Sequence, residues 1–278
     1  MLDNVSVDLC QKCYADEDLN KISSRQTGIK DMKVFESLLQ DQINKHISGE
    51  ELEPFWYDLR ISNNCNLSCQ TCGPTSSSSI AKSMNIENQH LSFEPEMEIN
   101  PNSIRIYLAG GEPFMIKRFV DVLESVENKD CEIVVNTNGT IITKALTKAL
   151  SYFNNVCITV SLDGFSNLNE KIRIGSNWNV IDANINIFKK LGFHLHAQTV
   201  LQKDNINDLL TLGHYIENAG FTRWTLIELD EPIQFSWKMA DQIDQEHLEN
   251  LMKLKIVNKN ISSIYLLNSV VKRWQKKN

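Results

Sequence analysis

Cys65, Cys69 and Cys72 stand together in the run Asn64-Cys65-Asn-Leu-Ser-Cys69-Gln-Thr-Cys72-Gly. Three thiolates on one short loop are soft ligands suited to iron, and they can hold three corners of an iron–sulfur cube. A closed cube needs a fourth ligand, and no further cysteine lies near this loop. The iron at that corner is then free to take a substrate or cofactor. The same triplet also suits a zinc ion completed by a distant fourth ligand.

A second group of residues sits where the chain turns out of an apolar run, at Leu108-Ala-Gly110-Gly111-Glu112-Pro113. Paired glycines allow a backbone to approach a ligand closely, and Glu112 adds a carboxylate. Further on, Val134-Val135-Asn136-Thr137-Asn138-Gly139 and Ser161-Leu162-Asp163-Gly164 end two β-branched runs in polar turns. The Ser161 hydroxyl and the Asp163 carboxylate suit sugar hydroxyls. Arg173 follows on a loop, with a guanidinium fork that matches a carboxylate.

The Cys65-x3-Cys69-x2-Cys72 triplet, followed one strand later by Gly110-Gly111-Glu112-Pro113, resembles the signature of the radical S-adenosylmethionine (SAM) superfamily. The resemblance implies a 4Fe–4S cluster held by Cys65, Cys69 and Cys72, with SAM chelated to the fourth iron. It implies reductive cleavage of SAM to a 5′-deoxyadenosyl radical, which abstracts hydrogen from a substrate. Gly110, Gly111 and Glu112 are then expected at the methionyl ammonium, Asn136 and Asn138 near the cofactor, and Ser161 and Asp163 at the ribose. Arg173 is expected at the SAM carboxylate. Thr71 stands where many members carry an aromatic residue, which weakens the inference of an adenine contact there. No further catalytic residue is assigned.

The elements that must position these residues alternate in type. Runs at 55–62, 103–109, 132–136, 156–162, 194–201 and 224–229 are β-branched and end in turn residues, as strands do. Helical spacing of apolar residues recurs between them, at 119–126, 141–150, 180–191 and 209–216, with Gly192 and Gly220 placed to cap the last two. Repeated βα units predict an α/β fold with a parallel sheet. Six units are too few for a closed eight-stranded barrel, and a doubly wound sheet is the alternative that pattern alone leaves open. The resemblance favours a partial (β/α)6 TIM-like barrel, reacting at the carboxyl ends of its strands. Residues 51–235 form this expected core. Residues 1–50 form an N-terminal segment with a lead-in helix at 30–48, and residues 236–278 a helical extension covering the open sheet edge.

The N-terminal segment holds a second pair, Cys10-Gln-Lys-Cys13, which resembles the end of a twitch-type (half-SPASM) module that in related proteins surrounds an auxiliary iron–sulfur cluster. The first half of that module is not found in this sequence. The chain is therefore expected to be truncated, completed by a second polypeptide or naturally reduced, and to hold no auxiliary cluster at Cys10 and Cys13 by itself. Cys131 and Cys157 fall at or within strand runs and are expected as small core residues. His194 and His196 alternate on one strand and are expected to pack rather than to ligate.

The seven cysteines are odd in number and five lie in two tight clusters, which suits metal ligation in a reducing compartment better than disulfides. No secretory leader or run of ~20 apolar residues is evident, so a cytoplasmic protein away from membranes is expected. A net charge of −7 argues against nucleic acid as a partner. The expected partners are an electron donor such as flavodoxin or ferredoxin and a peptide or small-metabolite substrate. Two other functions fit the residues: a non-catalytic iron–sulfur or zinc subunit, and a 7-deazaguanine-type radical SAM synthase.

Overall fold

The computed structural model describes residues 11–18, 23, 26, 36–86, 98–229, 232–258 and 261–275. The chain divides into two compact units, Met1–Glu53 and Pro54–Asn278. In the first, the described helices are α1 (Gln11–Asp18) and α2 (Glu36–Ser48). Cys13 lies on α1, whereas Cys10 and the beginning of the expected lead-in helix fall outside the described residues.

The second unit is built on a six-stranded sheet. Its strands are β1 (Trp56–Leu59), β3 (Arg105–Leu108), β4 (Glu132–Thr137), β5 (Asn155–Ser161), β7 (His194–Leu201) and β8 (Arg223–Glu228). They lie side by side in chain order, and every pairing is parallel. This order decides between the two architectures that pattern leaves open. A doubly wound sheet reverses its order part-way, whereas uninterrupted order with right-handed crossovers places the connecting helices on one face. Among the described residues β1 and β8 do not pair, so the sheet stays open.

The helices α4 (Arg118–Glu124), α5 (Lys144–Leu150), α7 (Trp178–Lys190) and α8 (Leu209–Ala219) follow β3, β4, β5 and β7. Their apolar sides meet alternate strand residues, including Ile106, Leu108, Ile133, Val135, Ile158, Val160, Ala197 and Trp224, in one buried core. The opposite face of the strands carries Asp58, Tyr107, Asn136, Thr159, Ser161, His196 and Gln198, which are half-buried or exposed. Period-two alternation thus separates a dry face from a polar one. Cys131 and Cys157 are buried, as expected of small core residues.

The last helices are α9 (Gln245–Met252), α10 (Lys255–Asn258) and α11 (Ile261–Gln275). Helix α11 supplies the fully buried Ser263, whose hydroxyl accepts the Leu226 N–H at 2.9 Å and donates to the Trp224 carbonyl at 3.3 Å. Edge-strand groups that would otherwise lose water without gaining a partner are satisfied in this way. Ser263→Ala leaves the Leu226 donor buried without its acceptor. An expected loss of ~1–3 kcal/mol, read as a lower urea midpoint at unchanged slope, checks this arrangement.

Two histidines give the fold a pH dependence. His247 on α9 accepts the Leu210 N–H at 2.9 Å through Nε2, so it must be unprotonated there. Burial lowers its pKa, against the opposing charges of Asp244 and Asp208. His196 is pushed down to about 4, mainly by burial and also by Arg223. The unfolded chain therefore binds more protons than the folded one below the ordinary value of about 6.5. Their contribution to stability is complete above that pH and is lost as pH falls toward the folded values. Melting temperature is expected to fall between pH 7 and pH 5, with a shallower slope in His247→Gln.

Candidate functional site

The three cysteines occupy the connection from β1 to α3 (Ser78–Ser83), at the carboxyl edge of the sheet. This connection is fastened from three sides. Ser77 caps α3, accepting the Ile80 N–H, and its hydroxyl donates to the Leu67 carbonyl at 2.9 Å. Ser78 Oγ accepts the Cys65 N–H at 3.1 Å, and Ser79 donates to the Cys65 carbonyl at 2.6 Å. The serine run thus secures the cysteine loop, a role its simple composition does not announce.

The second fastening is the turn after β3. Gly110 and Gly111 have φ of +85° and +54°. A Cβ on Gly111 would stand 2.2 Å from the Asn64 carbonyl oxygen, and one on Gly110 would stand 2.8 Å from that of Ser62. Side chains are excluded at both positions because the turn lies directly on the cysteine loop. The Glu112 N–H completes the contact by donating to the Asn64 carbonyl at 2.7 Å.

Glu112 itself is fully buried. One carboxylate oxygen accepts from the Phe114 N–H at 3.1 Å and from Thr137 Oγ1 at 2.7 Å; the other accepts the Asn138 N–H at 2.8 Å. Burial raises its pKa, and these three donors act against that rise. The side chain therefore joins the ends of β3 and β4.

The third fastening is a two-stranded antiparallel ribbon, β2 (Ser68–Cys69) with β6 (Arg173–Ile174), which pairs Cys69 with Arg173. Arg173 follows α6 (Asn167–Ile172), and its Nη1 donates to Cys69 Sγ at 3.9 Å. Its Nε lies 2.9 Å from Asp163 Oδ2, with the carboxylate fully buried and the arginine side chain 12% exposed. The other Asp163 oxygen accepts the Val200 N–H at 2.8 Å. Asp163, expected at a sugar, lies against Arg173 and β7. Burial opposes the arginine's charge, but Asp163 and the sulfur of Cys69 more than offset it, and its pKa rises.

Asn138 reaches toward the loop as well, donating to Asn66 Oδ1 at 3.0 Å and to Cys65 Sγ at 3.9 Å. Ser161 and Asn136 lie together on the polar face, with Ser161 Oγ donating to Asn136 Oδ1 at 3.3 Å. The structure therefore gathers every expected site residue at the carboxyl ends of the strands, where parallel sheets present their ligand sites.

The thiols are free and half-buried. Burial raises the pKa of all three, that of Cys72 to about 11, while Arg173 pulls Cys69 and Cys72 down. Among the described residues, no three His, Cys, Asp or Glu side chains gather as ligands of one metal ion. A cube asks for a different arrangement, because each thiolate binds its own iron and the sulfurs need not meet at a point. Donors directed at the sulfurs from Leu67 N at 3.5 Å, Asn138 and Arg173 also suit ligands that become anionic on binding. The residues fit such a cluster.

The radical SAM superfamily profile matches residues 59–216. The chain belongs to this superfamily, and the family implies a 4Fe–4S cluster and SAM as cofactors. It is 27% identical over 181 residues to the sporulation killing factor maturation protein SkfB of Bacillus subtilis, covering 63% of this chain and 43% of that one. It is 25% identical over 168 residues to the Fe-coproporphyrin III synthase of Methanosarcina barkeri, covering 59% and 41%. It thus spans less than half the length of these curated relatives. The structure of anSMEcpe with bound AdoMet and the Kp18Cys peptide superposes with a TM-score of 0.51 at 17% identity, over 71% of this chain and 57% of that one, and shares the fold. Among the described residues no helix is long and apolar enough to cross a membrane.

The packing of the glycine turn on the cysteine loop is directly testable. Gly111→Ala forces the Asn64 carbonyl away, and a severalfold fall in iron bound after anaerobic reconstitution is expected while far-ultraviolet circular dichroism is kept.

Proposed function

We propose that Cys65, Cys69 and Cys72 ligate the cluster and that the chain acts on a peptide, with a small metabolite as the next substrate class. The observation that carries the ligand assignment is the convergence of N–H donors on sulfurs of a loop clamped beneath the Gly110–Gly111 turn. The peptide reading draws on the peptide bound to anSMEcpe and on the polar strand face beside the loop.

When bound, the cluster and SAM supply a carbon radical able to take hydrogen from an unactivated C–H bond. The protein's residues do the holding. The main chain of Gly110 and Gly111 is the proposed seat of the methionyl ammonium, since the Glu112 side chain is already committed to Thr137 and Asn138. Ser161 and Asn136 offer a hydroxyl and an amide for the ribose, at the edge of the polar face. The raised thiol pKa values mean that ligation must expel protons, and the neighbouring donors then hold the thiolates. A small flavodoxin or ferredoxin is the proposed electron donor.

Anaerobically reconstituted protein is expected to release 5′-deoxyadenosine from SAM in the presence of dithionite, and the Cys65→Ala/Cys69→Ala/Cys72→Ala variant is not. About four irons per chain are expected, with no change in Cys10→Ala/Cys13→Ala. A fully loaded protein that releases no 5′-deoxyadenosine would overturn the catalytic reading. About eight irons, halved by the Cys10/Cys13 substitutions, would instead place a second cluster in the N-terminal segment.

A further inference from the structure

We infer that Arg173 is a positioning residue that raises the reduction potential of the cluster by donating to the Cys69 thiolate, and that Asp163 holds it in place. The inference rests on the ligand assignment above and adds a role to a residue that sequence resemblance directs to the SAM carboxylate.

The backbone sets the approach. Cys69 and Arg173 are register partners in the β2–β6 ribbon, and the Gln70 N–H donates to the Ile172 carbonyl at 2.9 Å beside them. The main-chain pairing fixes the Arg173 Cα beside Cys69, and burial together with Asp163 restricts the guanidinium. Its Nη1 is 3.9 Å from Cys69 Sγ, and only 12% of the side chain is exposed.

Asp163 then fixes the other side of the guanidinium. Its Oδ2 is 2.9 Å from Arg173 Nε, and its Oδ1 is engaged by the Val200 N–H. Its own N–H donates to Asn169 Oδ1 at 2.9 Å, and its carbonyl accepts from Asn205 Nδ2 at 2.9 Å. The next residues are anchored too, because Phe165 packs edge-on against Trp178 with ring centroids 5.1 Å apart. Asp163 is thus anchored through Oδ1 and its main chain, and its Oδ2 faces Arg173 Nε as a close ion pair without hydrogen-bond alignment.

Reduction adds an electron to a cluster whose thiolates are already anionic. A buried cationic donor on one sulfur stabilises that added charge, and hydrogen bonds to cluster sulfurs move the potential in the same direction. The Asp163 charge offsets part of this effect. The guanidinium nevertheless keeps its Nη1 edge on the sulfur and its Nε edge on the carboxylate, so the cation lies between the two.

The test is a potentiometric titration of the cluster's electron paramagnetic resonance signal in the reconstituted full chain without SAM, with iron content and SAM affinity measured alongside. At a fixed applied potential, Arg173→Gln is expected to lower the ratio of reduced to oxidised cluster about tenfold, a fall of about 59 mV for a one-electron couple. Arg173→Lys, which keeps the charge, is expected to recover part of that loss. A ratio within twofold of the parent in iron-replete Arg173→Gln overturns the inference, and all the more so if SAM affinity collapses, which would return Arg173 to the SAM carboxylate. Should Arg173→Gln fail to hold iron, Arg173→Met is read in its place, and a ratio within twofold of the parent's overturns the inference. Cys69→Ala separates the two layers: full iron in that variant overturns the ligand assignment itself, whereas lost iron with an unchanged Arg173→Gln potential overturns only the role of Arg173.

Discussion

The site depends on one close contact between main chains, where the turn after β3 rests on the loop after β1. The Glu112 N–H meets the Asn64 carbonyl at 2.7 Å, and the two preceding glycines have no room for a Cβ. That contact holds the cysteine loop against the sheet edge. The buried Glu112 carboxylate extends it sideways by collecting donors from Phe114, Thr137 and Asn138. Through Asn138, the same connection reaches Cys65. A buried carboxylate is tolerable because each oxygen is paired, and removing one partner would leave a costly charge in an apolar setting.

Charge is arranged with similar economy around Cys69. The Asp163–Arg173 pair is nearly dry, a situation in which desolvation can cancel the attraction between the partners. Stability alone is therefore a weak reason for the pair. Its placement makes more sense for a loop that must carry several anionic sulfurs, since one cation at 3.9 Å opposes their mutual repulsion.

Much of the scaffold is legible from residue patterns. The six strand runs match β1, β3, β4, β5, β7 and β8 to within a few residues, because alternation of β-branched residues reports directly on a sheet with one dry face. The two local signatures, the cysteine triplet and the Gly-Gly-Glu-Pro turn, are legible because the chemistry of metal ligation and of close backbone approach restricts residue types at fixed spacing. By contrast, β2 and β6 are two residues long and carry no periodicity, and the serines from Ser76 to Ser79 suit the start of a helix after Pro74 without announcing that they also tie down the cysteine loop. The sole trace of their role is that serine caps a helix well.

Sequence by itself determined the residue types at the site, the βα order and the superfamily, since each is encoded within a short window. Tertiary structure decided how those residues divide the work. It placed Arg173 beside Cys69 across 104 residues, set Asp163 against that arginine, and joined the Glu112 carboxylate to Thr137 and Asn138. It also chose the singly wound open sheet over the doubly wound one, and closed the β8 edge with Ser263. Such assignments depend on which strand ends become neighbours, and neighbouring is a property of the assembled sheet that no local run of residues contains.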